Sequence, residues 1–108
     1  MAAVTFSPQA RHDLLDIGDY IAKDNRANAR RFVGKLIDQC RQIGETPMAY
    51  PSRHELAAEL RVAPLGSYLI FFRCIGGAVR IERVLHGARD LHAVLGRREG
   101  RGGDKVQS

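Results

Sequence analysis

The sequence has too few cysteines for a disulfide-rich protein, and its apolar runs are too short for a membrane-spanning one. Its two cysteines, Cys40 and Cys74, fall in a predicted helix and a predicted strand, with no CxxC motif and no histidine at metal-ligand spacing. We interpret both as small buried apolar residues, not as a disulfide or as zinc ligands. The longest uninterrupted apolar stretch, Tyr68 to Phe72, is far shorter than the ~20 residues that cross a bilayer. The sequence therefore predicts neither a disulfide scaffold nor a transmembrane helix.

The sequence also shows no recognisable secretory signal. The N-terminus lacks a basic segment followed by an apolar run and a small-residue cleavage site, so we expect a cytoplasmic protein.

The basic residues are mostly arginine. Of 17 basic residues only Lys23, Lys35 and Lys105 are lysine, and the net charge is +5. Arginine favours planar, bidentate contacts with carboxylates and phosphates, which indicates nucleic acid or a carboxylate-rich protein segment as partner. Composition does not choose between these partners, and a basic surface that is merely solvated stays equally open.

The chain of 108 residues has the length of one domain, and its composition is that of an average globular protein, with 44% apolar and 27% charged residues. From Gly96 onward the sequence GRREGRGGDKVQS consists largely of glycine and charged residues. Such a segment cannot bury enough apolar surface to fold, so we predict one domain over residues 1–95 and a disordered tail over 96–108.

The first half of the domain shows helical periodicity after one short strand. Val4 to Phe6 is β-prone, and Ser7 followed by Pro8 is typical of a helix N-cap and first helical position. Asn25 is a suitable N-cap for a second helix. Because the connection is short, the two helices are predicted to form an antiparallel hairpin. Their apolar stripes are Ala10, Leu14, Ile17 and Ile21 in the first helix and Ala29, Phe32, Val33, Leu36, Ile37, Cys40 and Ile43 in the second.

The second half predicts three strands, at residues 60–63, 68–74 and 78–85, followed by a short C-terminal helix at 88–95. With Gly76-Gly77 as the hairpin centre, Phe72 faces Ile81 and Tyr68 faces Leu85. The fold class is then α+β, a helical hairpin packed on a small antiparallel sheet in the order β-α-α-β-β-β. This register places Tyr68, Ile70, Phe72, Val79, Ile81 and Leu85 toward the helices. It places Leu69, Phe71, Arg73, Arg80, Glu82, Val84 and His86 on a mixed face with a basic bias.

Few patterns suggest catalysis. Gly76-Gly77 joins two strands, so it predicts a turn and not a phosphate-binding loop. Ser7 is interpreted as a helix cap and both cysteines lie in apolar patterns, so no nucleophilic triad is predicted. The acidic residues of the first helix, spaced three apart, are interpreted as a solvated face in preference to a metal or acid–base cluster. These residues are Asp13, Asp16 and Asp19.

The segment from Arg83 to Asp90 is the most informative one for function. Arg83, His86 and Arg89 can cluster at one sheet edge, giving a site able to titrate near neutral pH through its histidine or to hold a phosphate. Alternatively, Asp90 pairs with an arginine and fastens the terminal segment. From the residues alone, fastening is the favoured interpretation.

Three segments resemble the ParE toxin family of the ParE/RelE superfamily: FSPQARHDLLDIGDYIAKDN, ANARRFVGKLIDQC and RVLHGARDL. The order of Glu55-Leu56, Leu60-Arg61 and YLIFFR (68–73) is similar as well, so the resemblance covers about residues 4–95. It implies a RelE/ParE-like fold and the toxin half of a type II toxin–antitoxin system. Such toxins poison DNA gyrase, block replication and cause growth arrest. No cofactor or metal is implied.

The resemblance also implies a ParD-like antitoxin, with a ribbon-helix-helix domain that binds DNA and a flexible tail that folds over the toxin. DNA would be contacted only indirectly, through the antitoxin. We expect a groove flanked by the helical hairpin and a sheet edge, lined by apolar side chains and rimmed by arginines. The residues expected to contact target or antitoxin are Arg61, Arg73, Arg83, His86, Arg89 and Asp90.

The alternative is the RelE branch, whose members cut messenger RNA on the ribosome with basic, acid–base and aromatic residues on the exposed sheet face. The central-strand arginine of that branch falls near Leu69 here, and its terminal histidine-tyrosine element falls near Gly87-Ala88. Neither position suits catalysis. A ribonuclease site would have to be rebuilt from Arg61, Arg73 and His86, with Glu55 or Glu59 as base. A plain nucleic-acid-binding module would show aromatics on a basic surface, whereas the tyrosines and phenylalanines mostly fit the core.

Overall fold

The fold is a helical hairpin packed on a four-stranded sheet. A computed structural model describes residues 3–90. The strands are β1 (Val4–Phe6), β2 (Leu60–Leu65), β3 (Tyr68–Ile75) and β4 (Ala78–His86), and the helices are α1 (Pro8–Ala22) and α2 (Arg26–Glu45), with a 3₁₀ turn at Pro47–Ala49. The predicted β-α-α-β-β-β order and α+β class are confirmed. Within these residues, no helix is long and apolar enough to cross a membrane.

Both predicted helix caps are present. The Ser7 hydroxyl accepts a hydrogen bond from the Ala10 N–H at 3.0 Å and donates to the Glu82 carbonyl at 2.7 Å. The Asn25 side chain accepts from the Asn28 N–H at 3.0 Å. The bonds from the Ala10 and Asn28 N–H groups each satisfy one of the donors that a helix start leaves unpaired. Ser7 therefore starts α1 and also ties that start to β4.

The sheet is mixed, whereas an antiparallel one was predicted. The strand order is β1-β4-β3-β2; β2, β3 and β4 form the predicted antiparallel meander, but β1 pairs parallel to β4, with Val4 opposite Val79. Tight turns constrain the direction of the meander strands. Both helices separate β1 from the meander, so no local turn fixes its direction.

A β-bulge in β4 changes the predicted register. Phe72 faces Ile81 as predicted, but Phe71 pairs with Arg83, so Glu82 is one residue too many on its strand. Beyond this point every pairing is displaced by one residue, and a displacement of one exchanges the two faces of a strand. The predicted pairs of Ile70 with Arg83 and of Tyr68 with Leu85 are therefore wrong, because Ile70 faces Val84 and Tyr68 faces His86. Val84 and His86 lie on the helix-facing side, and Leu85 lies on the other.

Apolar side chains fill both faces of the sheet. On the helix-facing side, a core of twelve buried residues includes Leu36, Phe72 and Val84. On the opposite side lies a smaller cluster, which we call the second-face cluster, composed of Leu60, Val62, Phe71 and Leu85. Leu56 and Ala57, from the segment that precedes β2, pack against it. The face predicted to be mixed and basic is thus largely aliphatic in this region.

The two cysteines are free but differ in burial. Cys40 is buried in the main core, and this burial raises the pKa of its thiol to about 12. It stays protonated at neutral pH and acts as a small apolar residue, as predicted. Cys74 is partly exposed, contrary to the prediction, and it lies among the last three residues of β3, none of which is buried.

The predicted C-terminal segments fall mostly beyond the described residues. Arg89 and Asp90 have helical backbone, which agrees with the start of the helix predicted at 88–95. The rest of that helix and the tail predicted at 96–108 lie outside the residues that the structure describes.

The central packing of α2 yields a stability prediction. Leu36 is fully buried, so Leu36→Ala should lower the free energy of unfolding by about 2 to 5 kcal/mol through lost contacts and a residual cavity. Phe32 is only partly buried, although its ring centroid lies 5.3 Å from that of Tyr68, so Phe32→Ala should cost less. Urea unfolding followed by circular dichroism measures both. Leu15→Ala, at a side chain that is 67% exposed, is the control and should change stability by less than about 0.5 kcal/mol. Equal losses of stability in Leu36→Ala and Leu15→Ala would contradict the placement of Leu36 in the core.

Candidate functional site

A cleft of about 350 Å³ lies between α1 and the end of β4. We call it the β4-end cleft. One wall is formed by Asp13, Asp16, Ile17 and Tyr20 of α1, and the other by residues 83–85, Arg89 and Asp90. The cleft therefore contains most of the Arg83–Asp90 segment that the sequence singled out.

Asp13 organises the inner end of the cleft. Its carboxylate accepts two hydrogen bonds from the Arg83 guanidinium, at 2.8 and 3.0 Å, and a third from the Val84 N–H at 2.9 Å. The Asp13 residue is only 9% exposed, so its interpretation as part of a solvated acidic face is wrong. Asp16 and Asp19 are exposed, as predicted.

A signal for Asp13 was present in the sequence. Asp13 is three residues after Ala10 and four before Ile17, so it lies on the same stripe of α1 as these buried side chains. A carboxylate on a buried stripe needs a cationic or N–H partner. Arginine occurs at many positions in this chain, and without the register of β4 its partner could not be identified.

The contact with Asp13 fixes Arg83 in the structure. The hydrogen bonds that Arg83 donates to Asp13 raise the pKa of Arg83, and they outweigh the opposing effect of burial. Its side chain keeps 39% of its surface exposed, so solvent screens part of the charge attraction. Arg83 is thus held by Asp13, whereas Arg89 bonds to His86 and to Asp90.

At the outer end of the cleft, His86 and the two residues Arg89 and Asp90 form reciprocal capping hydrogen bonds. The His86 N–H donates to the Asp90 carboxylate at 2.9 Å, while the Arg89 N–H donates to His86 Nδ1 at 3.1 Å. This arrangement is similar to a helix capping box, with histidine in the position usually held by serine or threonine. The second carboxylate oxygen of Asp90 accepts from Arg89 Nε at 3.0 Å. The interpretation that Asp90 pairs with an arginine and fastens the segment is confirmed.

The charges at this end reinforce one another. Burial opposes ionisation of Asp90, but the bonds from Arg89 and from the His86 N–H outweigh it, so the pKa of Asp90 is lowered. The bond to Asp90 raises the pKa of Arg89. The Arg89 guanidinium also lies 5.1 Å from the centre of the Tyr20 ring, which is within the range of a cation–π contact. Half of the Arg89 side-chain surface remains exposed, so this cation is both positioned and accessible.

The remaining predicted site residues lie elsewhere. Arg61 is on the helix-facing side of β2 and donates to the Tyr50 carbonyl at 2.6 Å. Arg73 is on the opposite face, where it donates to the Ala58 carbonyl at 3.0 Å and lies 3.5 Å from the Glu82 carboxylate. His86 packs edge-on against Tyr68, with ring centroids 5.2 Å apart.

The structure does not bring Arg61, Arg73 and His86 together. Arg73 and the strand partner of His86, Tyr68, are five residues apart on β3, which corresponds to about 17 Å along an antiparallel strand. Arg61 lies on the other face of the sheet from Arg73. Leu69, where the RelE branch is expected to carry an arginine, packs against the second-face cluster. Across residues 3–90, no group of three histidine, cysteine or acidic residues is placed to hold a metal ion.

Because Asp13 accepts three hydrogen bonds, we expect two substitutions at this position to lower stability by different amounts. Asp13→Ala should lower the free energy of unfolding by about 1 to 3 kcal/mol, because the buried Val84 N–H loses its acceptor. Asp13→Asn keeps an acceptor oxygen and should cost clearly less. Thermal or urea unfolding at neutral pH gives the order, with the exposed Asp16→Ala as control. An equal loss in the two Asp13 variants would show that the ion pair with Arg83, and not the backbone bond, dominates.

Comparison with known proteins identifies the family of this fold. The family model described as "ParE toxin of type II toxin-antitoxin system, parDE" matches residues 4–91. A solved structure titled "Chromosomal ParDE TA system from P. aeruginosa" is similar with a TM-score of 0.69 and 20% sequence identity, covering 80% of this chain and 96% of the other. None of the curated proteins matches. The family match spans every element from β1 to β4 and both walls of the β4-end cleft, and the chain therefore belongs to the ParE toxin family of type II toxin–antitoxin systems.

Proposed function

We propose that this toxin inhibits DNA gyrase in the cytoplasm by binding to it, and that a ParD-like antitoxin neutralises the toxin. The observation that carries the proposal is the family match over residues 4–91, which includes the whole Arg83–Asp90 segment. DNA gyrase is the target implied by the resemblance to ParE toxins. A protein inhibitor needs a rigid surface with positioned charges, and the β4-end cleft offers one.

The geometry divides the predicted contact residues into two groups. Arg83, Arg89 and Asp90 line the β4-end cleft, and His86 bonds to two of them, whereas Arg61 and Arg73 bond to backbone carbonyls elsewhere. Within the first group, Arg83 is occupied by Asp13, and the cap of His86 and Asp90 holds the backbone. Arg89 is the side chain that combines a fixed position with exposed surface. We therefore assign Arg89 as the contact residue of this surface and the other three as positioning residues.

The ribonuclease alternative requires acid–base groups on the second face of the sheet. The centre of that face carries the second-face cluster, with Leu56 and Ala57 packed over it. Aliphatic side chains neither donate nor accept a proton, so this surface supports packing or protein contact better than RNA cleavage. This argument favours inhibition through binding.

Replacement of Arg89 tests the gyrase-directed surface. In a supercoiling assay with purified gyrase, Arg89→Ala should raise the toxin concentration needed for half inhibition by about tenfold or more, as expected for loss of an arginine anchor. Arg41→Ala is the matched control, since Arg41 is an exposed arginine of α2 paired with Asp38 and remote from the cleft. Circular dichroism must show that both variants fold. Equal potency of the two variants would exclude Arg89 as the contact, and a wild-type toxin without effect on gyrase would exclude the target.

A cleavage assay with ribosomes tests the ribonuclease alternative. Toxin is incubated with ribosomes and a defined message, and any cleavage sites are mapped by primer extension. We expect no cleavage by the wild type. Cleavage that Arg73→Ala or His86→Ala abolishes, while Arg41→Ala leaves it intact, would replace the proposed function with that of an mRNA endoribonuclease.

A further inference from the structure

The first half of helix α2 is exposed and carries cations that no acid of the described fold neutralises. The helix is covered less than predicted, since Phe32, Val33 and Ile37 of its apolar stripe are only partly buried. Residues 26–35 contain four basic residues and no acidic one. These residues, which we call the α2 cations, are Arg26, Arg30, Arg31 and Lys35. All of them are exposed, and within residues 3–90 no carboxylate lies at salt-bridge distance from any of them.

The spacing of the α2 cations is unfavourable for stability. Arg26 and Arg30 are four residues apart, as are Arg31 and Lys35, so each pair brings like charges together on one side of the helix. The first turn of α2 contains no acidic residue, although the positive end of the helix dipole favours carboxylates there. Arginines of the sheet differ, because Arg73, for example, lies beside a carboxylate. The arrangement in α2 therefore indicates an anion that another molecule supplies.

Two of the α2 cations border a pocket of about 280 Å³. Arg31 and Lys35 line it together with Asn28, Phe32 and Ile21. The four residues from α2 are spaced i, i+3, i+4 and i+7, so they form one stripe along the helix. The Asn28 side chain accepts a hydrogen bond from the Arg31 guanidinium, which orients that cation along the stripe. The pocket thus combines N–H donors with an apolar floor, which suits a phosphate group that is joined to a sugar.

This pocket adjoins the β4-end cleft. Ile21 lines the pocket, and its neighbour Tyr20, which is 57% exposed, lines the cleft. Two ring contacts lead in the same direction: the centroids of Phe32 and Tyr68 are 5.3 Å apart, and those of Tyr68 and His86 are 5.2 Å apart. One ligand that extends from the pocket toward the cleft therefore meets both the α2 cations and the positioned cation of the cleft.

The number and freedom of the α2 cations favour a polyanion over single carboxylates. An exposed cation gains little from one carboxylate, because water screens the attraction and both side chains lose freedom. Duplex DNA carries about one charge per 1.7 Å of its axis, and cations that bind it release condensed counterions, so each added cation strengthens binding. Phosphate oxygens commonly accept hydrogen bonds from arginine, lysine and asparagine. All three residue types lie in the pocket stripe.

We infer that the α2 cations bind the phosphate backbone of duplex DNA, with a phosphate between Arg31 and Lys35 and its sugar against Phe32. The inference rests on the proposed function, which supplies this DNA as the segment that gyrase holds. The family resemblance implies contact with DNA only through the antitoxin, so a direct contact goes beyond it. In this arrangement the toxin recognises the enzyme through Arg89 and the enzyme's DNA through α2.

Direct binding to DNA gives the first test. The pocket variant Arg31→Gln/Lys35→Gln removes two positive charges, and the control Arg11→Gln/Arg41→Gln removes two from exposed helix positions outside the pocket. The two proteins have equal net charge, and glutamine suits an exposed helix position about as well as arginine or lysine. Fluorescence anisotropy with a short duplex is recorded at several salt concentrations. The pocket variant should bind at least about tenfold more weakly than the control at low salt, with a salt slope smaller by about 2.

Experiments with gyrase separate this inference from the proposed function. The pocket variant should bind DNA-free gyrase as tightly as the control does, but it should inhibit supercoiling less strongly. Equal DNA affinity and equal salt slope in the pocket variant and the control would overturn the inference. So would unchanged DNA affinity with weaker binding to DNA-free gyrase, because the α2 cations would then contact protein. If wild-type toxin binds DNA through these cations but has no effect on gyrase, only the proposed target fails.

Discussion

The carboxylate of Asp13 joins the two halves of this fold. It receives the Arg83 guanidinium and the Val84 N–H at the place where β4 extends beyond its short partner β1. A sheet edge left open in this way would expose N–H groups to other chains. Asp13 closes the edge from α1, and Asp90 does the same at His86, two residues further along. The Arg83–Asp90 segment is thus built on a strand edge that two carboxylates occupy.

The bulge at Glu82 makes this arrangement possible. Without the extra residue, Leu85 would face the helices and Val84 would lie on the second face, as a regular hairpin predicts. The displacement puts Val84 in the main core and Leu85 in the second-face cluster. Each face of the sheet gains one aliphatic residue that fits its surroundings. The Glu82 carbonyl, at the bulge, accepts from the Ser7 hydroxyl, so the irregular point of β4 is held by the residue that starts α1.

Periodicity and turn residues were sufficient to predict most of the fold. The stripes of both helices, the caps at Ser7 and Asn25 and the turn at Gly76-Gly77 depend on interactions within a few residues, which sequence patterns record directly. The parallel pairing of β1, the bulge and the burial of Asp13 depend on contacts across some 70 residues. The residue types of the Arg83–Asp90 segment directed attention to it, and the resemblance to ParE toxins includes it. Neither could show that Arg83 is held by α1 while Arg89 remains exposed.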